Sequence, residues 1–135
     1  MNIKILTKYI ANQLQSQVDN FWILRGEITN EEIDENKNGI AVVHVDKQEE
    51  IVYRNYTYRL EGALTGQLML NAMTAAEIDQ KVENITHALI TYIKSLKYTE
   101  IENCVLIEGK AGNVATDTDE IYFTFSVPFT VFAQF

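Results

Sequence analysis

Asp117, Asp119 and Glu120 form the densest group of side chains in this sequence that could do chemistry. Carboxylate oxygens at this spacing could hold a divalent cation and support metal-assisted hydrolysis. Three acids in one loop, with no further ligand nearby in the sequence, are usually solvated instead. The sequence therefore favours no metal site, and we expect neither a metal nor any other cofactor.

The remaining reactive side chains are isolated from one another. His44 and His87 have no partner at metal-ligand spacing, so each is expected to be hydrogen-bonded or exposed. Cys104 lies in an apolar run and is predicted to be a buried, unreactive thiol. Gly109-Lys110 lacks the spacing of a phosphate-binding loop, and the sequence contains no serine-hydrolase, zinc-hydrolase or dinucleotide-binding motif. These observations predict a protein that is not an enzyme.

The charge balance narrows the range of partners. The chain carries 11 basic and 19 acidic residues and a net charge of −8. This balance argues against recognition of nucleic acid through its phosphates, and so against sequence-specific nucleic-acid binding. No run approaches the roughly 20 apolar residues of a membrane span, and Lys4 and Lys8 interrupt the first apolar segment. We expect no signal peptide, no membrane association, and residence in the cytoplasm.

Two long stretches alternate between apolar and polar residues. Glu120–Phe135 has apolar residues at nearly every second position, which predicts a long strand with one buried face. Its Pro128 suits an edge or bulged position, because proline cannot donate a backbone hydrogen bond. Ile51–Leu70 exceeds the usual strand length, so it is predicted to bend, bulge or project as a hairpin arm. Gly62 and Gly66 would allow that bend, or leave room for a bulky core neighbour.

The other elements are shorter or helical. An amphipathic helix is predicted over about the first eighteen residues, and a second from Thr74 to Leu96, where Thr74 and Glu77 form a capping box. Polar residues between Gly26 and Gly39 predict an acidic loop. Further strands are predicted at Phe21–Leu24, Gly39–Val45 and Cys104–Ile107, and turns or loops at Asp46–Glu50 and Glu108–Asp119.

Together these elements predict a single α+β domain over residues 1–135. We expect a mostly antiparallel sheet of four to five strands, two helices packed on one face, and a long hairpin or arm. The face without helices would carry apolar side chains typical of an intermolecular surface, unless the assignment of faces shifts at a bulge near Pro128. The residues predicted to form this oligomer interface are Trp22, Tyr53, Met69, Tyr122 and Phe132.

This order of elements resembles that of the tail terminator and tail completion proteins of long-tailed bacteriophages. The resemblance rests on the N-terminal helix, the short aromatic strand, the acidic loop, the two further strands, the capped helix and the aromatic closing strand. Such proteins form rings, commonly of six subunits, that stop tail-tube growth and join the tail to the head. The resemblance implies a structural protein of a phage or prophage virion. Its partners would be further copies of itself and other tail or neck proteins.

A different class of function is also compatible with the sequence. A small-molecule or peptide-binding α+β module would need a pocket on its sheet with converging polar groups. The aromatic residues predicted to line that pocket are Trp22, Tyr56 and Tyr58.

Overall fold

Two helices and seven strands make up the part of the chain that the structure, a computed structural model, describes. The described residues are 3–17, 22–25, 39–51, 57–70 and 73–134. In chain order the elements are α1 Ile3–Gln17, β1 Trp22–Arg25, β2 Ile40–Ile51, β3 Thr57–Met69, α2 Ala75–Ser95, β4 Lys97–Ile101, β5 Cys104–Ala111, β6 Ala115–Thr118 and β7 Tyr122–Gln134. The predicted acidic loop, Tyr53 and Tyr56 lie outside the described residues.

The strands form one sheet in the order β1-β2-β3-β7-β5-β4, and β6 pairs with β7 next to β5. All the pairs are antiparallel except β1 with β2, which is parallel. The predicted α+β class with a mostly antiparallel sheet is confirmed. The sheet has seven strands, more than the four or five expected, because β4 and β6 were not predicted. The loop predicted at Glu108–Asp119 is wrong in part, because β5 continues to Ala111 and β6 spans Ala115–Thr118.

Both helices pack on the same face of this sheet. Leu6, Ile10 and Leu14 of α1 join the apolar stripe of α2 in one buried cluster with the centre of the sheet. α2 begins at the predicted cap, where the Thr74 hydroxyl accepts a hydrogen bond from the Glu77 backbone N–H at 3.2 Å. Neither described helix combines the length and the apolar character needed to span a membrane.

β7 lies at the centre of the sheet, between β3 on one side and β5 and β6 on the other. Its alternate residues are buried under the helices, as the sequence predicted: Phe125, Val127, Phe129, Val131 and Ala133. Leu60 and Leu64 of β3 pair with Val131 and Val127, so the neighbouring strand contributes to the same core. Ile121, in contrast, precedes the strand and is 54% exposed.

Pro128 occupies the middle of this central strand without disrupting it. On one side it pairs with Ala63, and on the other its carbonyl accepts a hydrogen bond from Gly112 N at 2.8 Å. In an antiparallel strand the N–H and C=O of one residue point to the same neighbour. The missing N–H therefore faces the interruption between β5 and β6, where no regular ladder is broken. The expectation of an edge or bulged position is therefore wrong, because β7 is central and its register with β3 continues through Pro128.

β2 and β3 form a long antiparallel hairpin. The first residue pair of its ladder is Ile40–Gln67 and the last is Ile51–Thr57. The prediction of a turn at Asp46–Glu50 is wrong, because these polar residues belong to β2 and pair with β3. β3 also pairs with β7 over its whole length. Its described part is thus embedded in the sheet and does not project as an arm.

Gly62 and Gly66 face the covered side of β3, where large side chains approach the backbone. A Cβ on Gly66 would lie 2.2 Å from Cζ of Phe125, and one on Gly62 would lie 2.1 Å from the His44 carbonyl oxygen. The expected role of leaving room for a bulky core neighbour is confirmed at Gly66. At Gly62 the closest group is a backbone carbonyl, and Cζ of Phe129 follows at 3.0 Å. Gly62 pairs with Val45, and β2 has a bulge directly after that pair, between Val45 and Lys47.

Candidate functional site: the uncovered face of the sheet

The side chains of β3 and β7 that point away from the helices form what we call the uncovered face. No described helix packs on it. The register of the strands fixes its members, because residues paired across an antiparallel ladder share a face. From one end of the sheet to the other, the pairs are Met69–Tyr122, Gln67–Thr124, Thr65–Ser126, Ala63–Pro128, Glu61–Thr130 and Arg59–Phe132.

A shallow depression of about 340 Å³ lies on this face between β3, β7 and β6. The Thr124 hydroxyl donates to the Asp117 carbonyl oxygen at 3.3 Å and so links β7 to β6. Most residues that line the depression have polar side chains, although the surface that they expose there is mainly apolar. The lining residues are Thr65, Gly66, Gln67, Ala115, Thr116, Asp117, Thr124, Phe125 and Ser126. They can exchange hydrogen bonds with a ligand or partner. None of them is a histidine or a cysteine.

The other end of the uncovered face carries alternating charges. Arg59 contacts the carboxylates of both Glu49 and Glu61, the latter with Nε to Oε1 at 3.6 Å. Its hydrogen bond to Glu49 lowers the pKa of that carboxyl and raises the pKa of the guanidinium. Lys47 Nζ lies 3.9 Å from Glu49 Oε2. These groups are solvated, so they set local charge and contribute little to stability.

The structure brings together only some of the residues predicted for the interface. Met69 and Tyr122 are paired and half-buried on the uncovered face. Phe132 is half-buried on the same face, ten residues along β7 from Tyr122, a separation of roughly 33 Å in an extended strand. Trp22 begins β1, and Tyr53 lies outside the described residues.

Sequence reasoning missed the large apolar side chains that are most exposed among the described residues. These are Tyr98 at 75%, Ile121 at 54% and Val114 at 38%. Val114 and Ile121 lie just before and just after β6, in segments that were predicted to be loop or strand. Their exposure depends on where β6 begins and ends, which the sequence pattern did not reveal.

The three acids considered for a metal site have local roles. Asp119 Oδ1 accepts hydrogen bonds from the backbone N–H groups of Ile121 and Tyr122 at 2.7 and 2.6 Å. These bonds favour the charged form and lower the pKa of the Asp119 carboxyl. Asp117 Oδ1 accepts from the Thr118 N–H at 2.9 Å. No group of three potential metal ligands occurs within the described ranges.

The isolated histidines and the cysteine are placed as the sequence predicted in most respects. His44 Nδ1 lies 2.7 Å from Asp46 Oδ1, and His87 is exposed on α2. Cys104 is half-buried, not fully buried as expected, and burial raises the pKa of its thiol. A raised pKa reduces the thiolate fraction, which agrees with an unreactive side chain.

The pocket predicted for a binding module is not supported by the position of Tyr58. This residue pairs with Ala133 and packs against the core on the covered side of β3. It therefore cannot line the depression on the uncovered face. The depression was missed because three strands create it, and only their register brings those residues together.

No protein-family model matches this chain, and no curated protein sequence matches it.

Proposed function

We propose that this protein is a structural, non-catalytic assembly protein of a phage or prophage tail. It forms a ring of identical subunits, as a tail terminator or a head–tail joining component, and contacts other tail or neck proteins. It functions in the virion, after synthesis in the cytoplasm of the host cell. No cofactor takes part.

The observation that carries this proposal is the one-sided construction of the sheet. A large central sheet usually has helices or a second sheet on both faces, or has one face with polar, solvated side chains. Here both helices cover one face, while Met69 and Tyr122 lie half-buried on the other. The order of elements, with a capped helix before an aromatic closing strand, resembles the tail terminators and supports the same proposal.

The uncovered face is large enough for a specific interface. β3 and β7 each have 13 residues, and a strand of that length extends for roughly 40 Å. Together they are roughly 10 Å wide, which gives an area on the order of 400 Å². With the same side of β2 and of β5 and β6 included, four adjacent strands give an area on the order of 750 Å². A standard protein interface buries about 800 Å² on each partner. In a ring, this surface would contact a different patch of the next subunit.

Imaging of the purified protein tests the ring directly. We expect negative-stain micrographs of size-exclusion fractions to show closed particles of one size, with a mass that is a multiple of the 15.5 kDa chain. The fraction of closed particles should rise with protein concentration, because association follows mass action. Monomers at every concentration, with no closed particles, would contradict the proposal.

A small-molecule or peptide-binding module is the second candidate, and the depression between β3, β6 and β7 favours it. Its volume of about 340 Å³ suits a small ligand, and its mainly apolar lining carries hydroxyl, amide and carboxylate groups that would orient that ligand. Replacing Ser126 with Tyr would fill the depression. If this variant lost binding of a ligand found by screening and kept its assembly state, the binding module would be the better interpretation.

A further inference from the structure

The outer edge of β6 carries backbone groups that no described strand pairs with. β6 pairs with β7 on one side only, and all four of its residues are exposed. Asp119 N donates to Tyr122 O at 3.0 Å, which extends the β6–β7 register by one pair. Backbone groups alternate in direction along a strand, so Asp117 faces β7 while Thr116 and Thr118 face outward.

An exposed apolar side chain lies at the start of this edge. Val114 precedes β6 and is 38% exposed. A large apolar group at the end of an unpaired strand gives an incoming strand something to bury. Backbone hydrogen bonds alone would give such a strand little preference for this edge.

The charge of this region indicates what kind of strand would fit. Asp117, Asp119 and Glu120 are all exposed, and the sequence contains no lysine, arginine or histidine after Lys110. Like charges placed opposite one another in a ladder are destabilising, so the same edge of a second copy is a poor partner. A strand that carries lysine or arginine is complementary to this edge.

We propose that the β6 edge binds an extended, basic segment of a partner protein, which adds to the sheet as a further strand. The backbone N–H and C=O of Thr116 and the C=O of Thr118 supply the ladder, Val114 contacts an apolar side chain, and Asp117 attracts the basic ones. In the free protein the Asp117 carboxylate occupies the outward N–H of Thr118, at 2.9 Å. An occupied edge donor also limits uncontrolled pairing between copies. This proposal goes beyond ring formation and does not depend on it.

Binding of a designed peptide tests this proposal. The probe is a short fluorescent peptide of alternating lysine and valine, measured by fluorescence anisotropy, with a peptide of alternating glutamate and valine as its control. We expect the lysine peptide to bind at least roughly tenfold more tightly than the glutamate peptide. Hydrogen exchange should show slower exchange of the Thr116 amide when the lysine peptide is present. Absence of binding, or equal binding of both peptides, would overturn the proposal.

A pair of variants isolates the backbone contribution. Thr116→Pro removes an outward N–H without breaking an internal ladder bond, whereas Thr116→Val keeps that N–H. We expect Thr116→Pro to weaken binding of the lysine peptide roughly tenfold and Thr116→Val to bind like the wild type. Equal binding to the two variants would overturn strand addition. If Thr116→Pro without peptide had a lower solution mass than the wild type, the edge would join copies of this chain. That result would overturn the proposal that a basic segment of another protein binds there.

Discussion

Alternate residues of β7 experience two different environments. Phe125, Val127 and Phe129 are at most 2% exposed beneath the helices. Ser126 and Thr130, which alternate with them, are half-buried on the uncovered face. The covered face is held by apolar burial and close packing, while the uncovered face offers hydroxyls, an amide and solvated ion pairs. The comparison teaches that the helices and the core-facing residues maintain the fold, and that no described helix covers the opposite face.

The largest expected effect comes from a cavity on the covered face. Leu64 of β3 is fully buried in the core beneath the helices, next to Val127 of β7. The following residue, Thr65, lies on the uncovered face. We expect Leu64→Ala to lower the free energy of unfolding by about 3 kcal/mol. Thr65→Ala should change it by no more than about 0.5 kcal/mol. Chemical denaturation measures both, and similar losses in the two variants would contradict the division into faces.

A smaller loss is expected from overpacking at Gly66. A Cβ there would lie 2.2 Å from Cζ of Phe125, so the ring must move or the strand must shift. We expect Gly66→Ala to lower the free energy of unfolding by about 2 kcal/mol. In a double-mutant cycle, Phe125→Leu should recover part of that loss, because the smaller side chain relieves the contact. Additive losses would show that the glycine is needed for another reason.

Ion pairs on the uncovered face should matter less than either core contact. Arg59 and Glu49 are solvated, and salt screens such pairs. We expect a double-mutant cycle of Glu49→Gln and Arg59→Gln to give a coupling energy below that of Gly66 with Phe125, and one that falls as salt is added. A salt-independent coupling as large as the core value would mean that this face also holds the fold.

The smallest expected effect appears only in acid. Backbone hydrogen bonds hold the pKa of Asp119 below its ordinary value of 3.8. The folded protein therefore binds this proton more weakly than the unfolded chain does. The resulting stabilisation is present above pH 3.8 and is lost as the pH falls through the folded pKa. The free energy of unfolding of Asp119→Asn, measured against pH, should lack the loss in acid that Asp119 causes in the wild type. Parallel pH profiles of the variant and the wild type would contradict this role of Asp119.

The sequence predicted the covered face well because burial on one side leaves a periodic pattern. Phe125 to Ala133 alternate with polar residues, and the apolar stripe of α2 has helical spacing. Thr74 and Glu77 added a local capping signal that the structure confirms. In these elements each residue's own chemistry indicates its environment.

The elements that sequence reasoning missed have no such pattern. All four residues of β6 are exposed, and Asp46–Glu50 are polar residues at the solvated end of a hairpin. Backbone pairing with a neighbouring strand, not side-chain burial, makes them strands. The depression was unpredictable for a related reason: Thr65, Ser126 and Ala115 come from three strands and meet only through register.

The most direct test of the central claim, that the uncovered face is a self-association surface, is the solution mass of a variant of that face. Light scattering after size exclusion would compare wild type with Tyr122→Lys, and with His87→Lys on the exposed surface of α2 as the control. Denaturation would show that both variants are folded. We predict that wild type and His87→Lys form a multimer of the 15.5 kDa chain, while Tyr122→Lys moves towards 15.5 kDa. A monomeric wild type, or a folded Tyr122→Lys with unchanged mass, would contradict the claim.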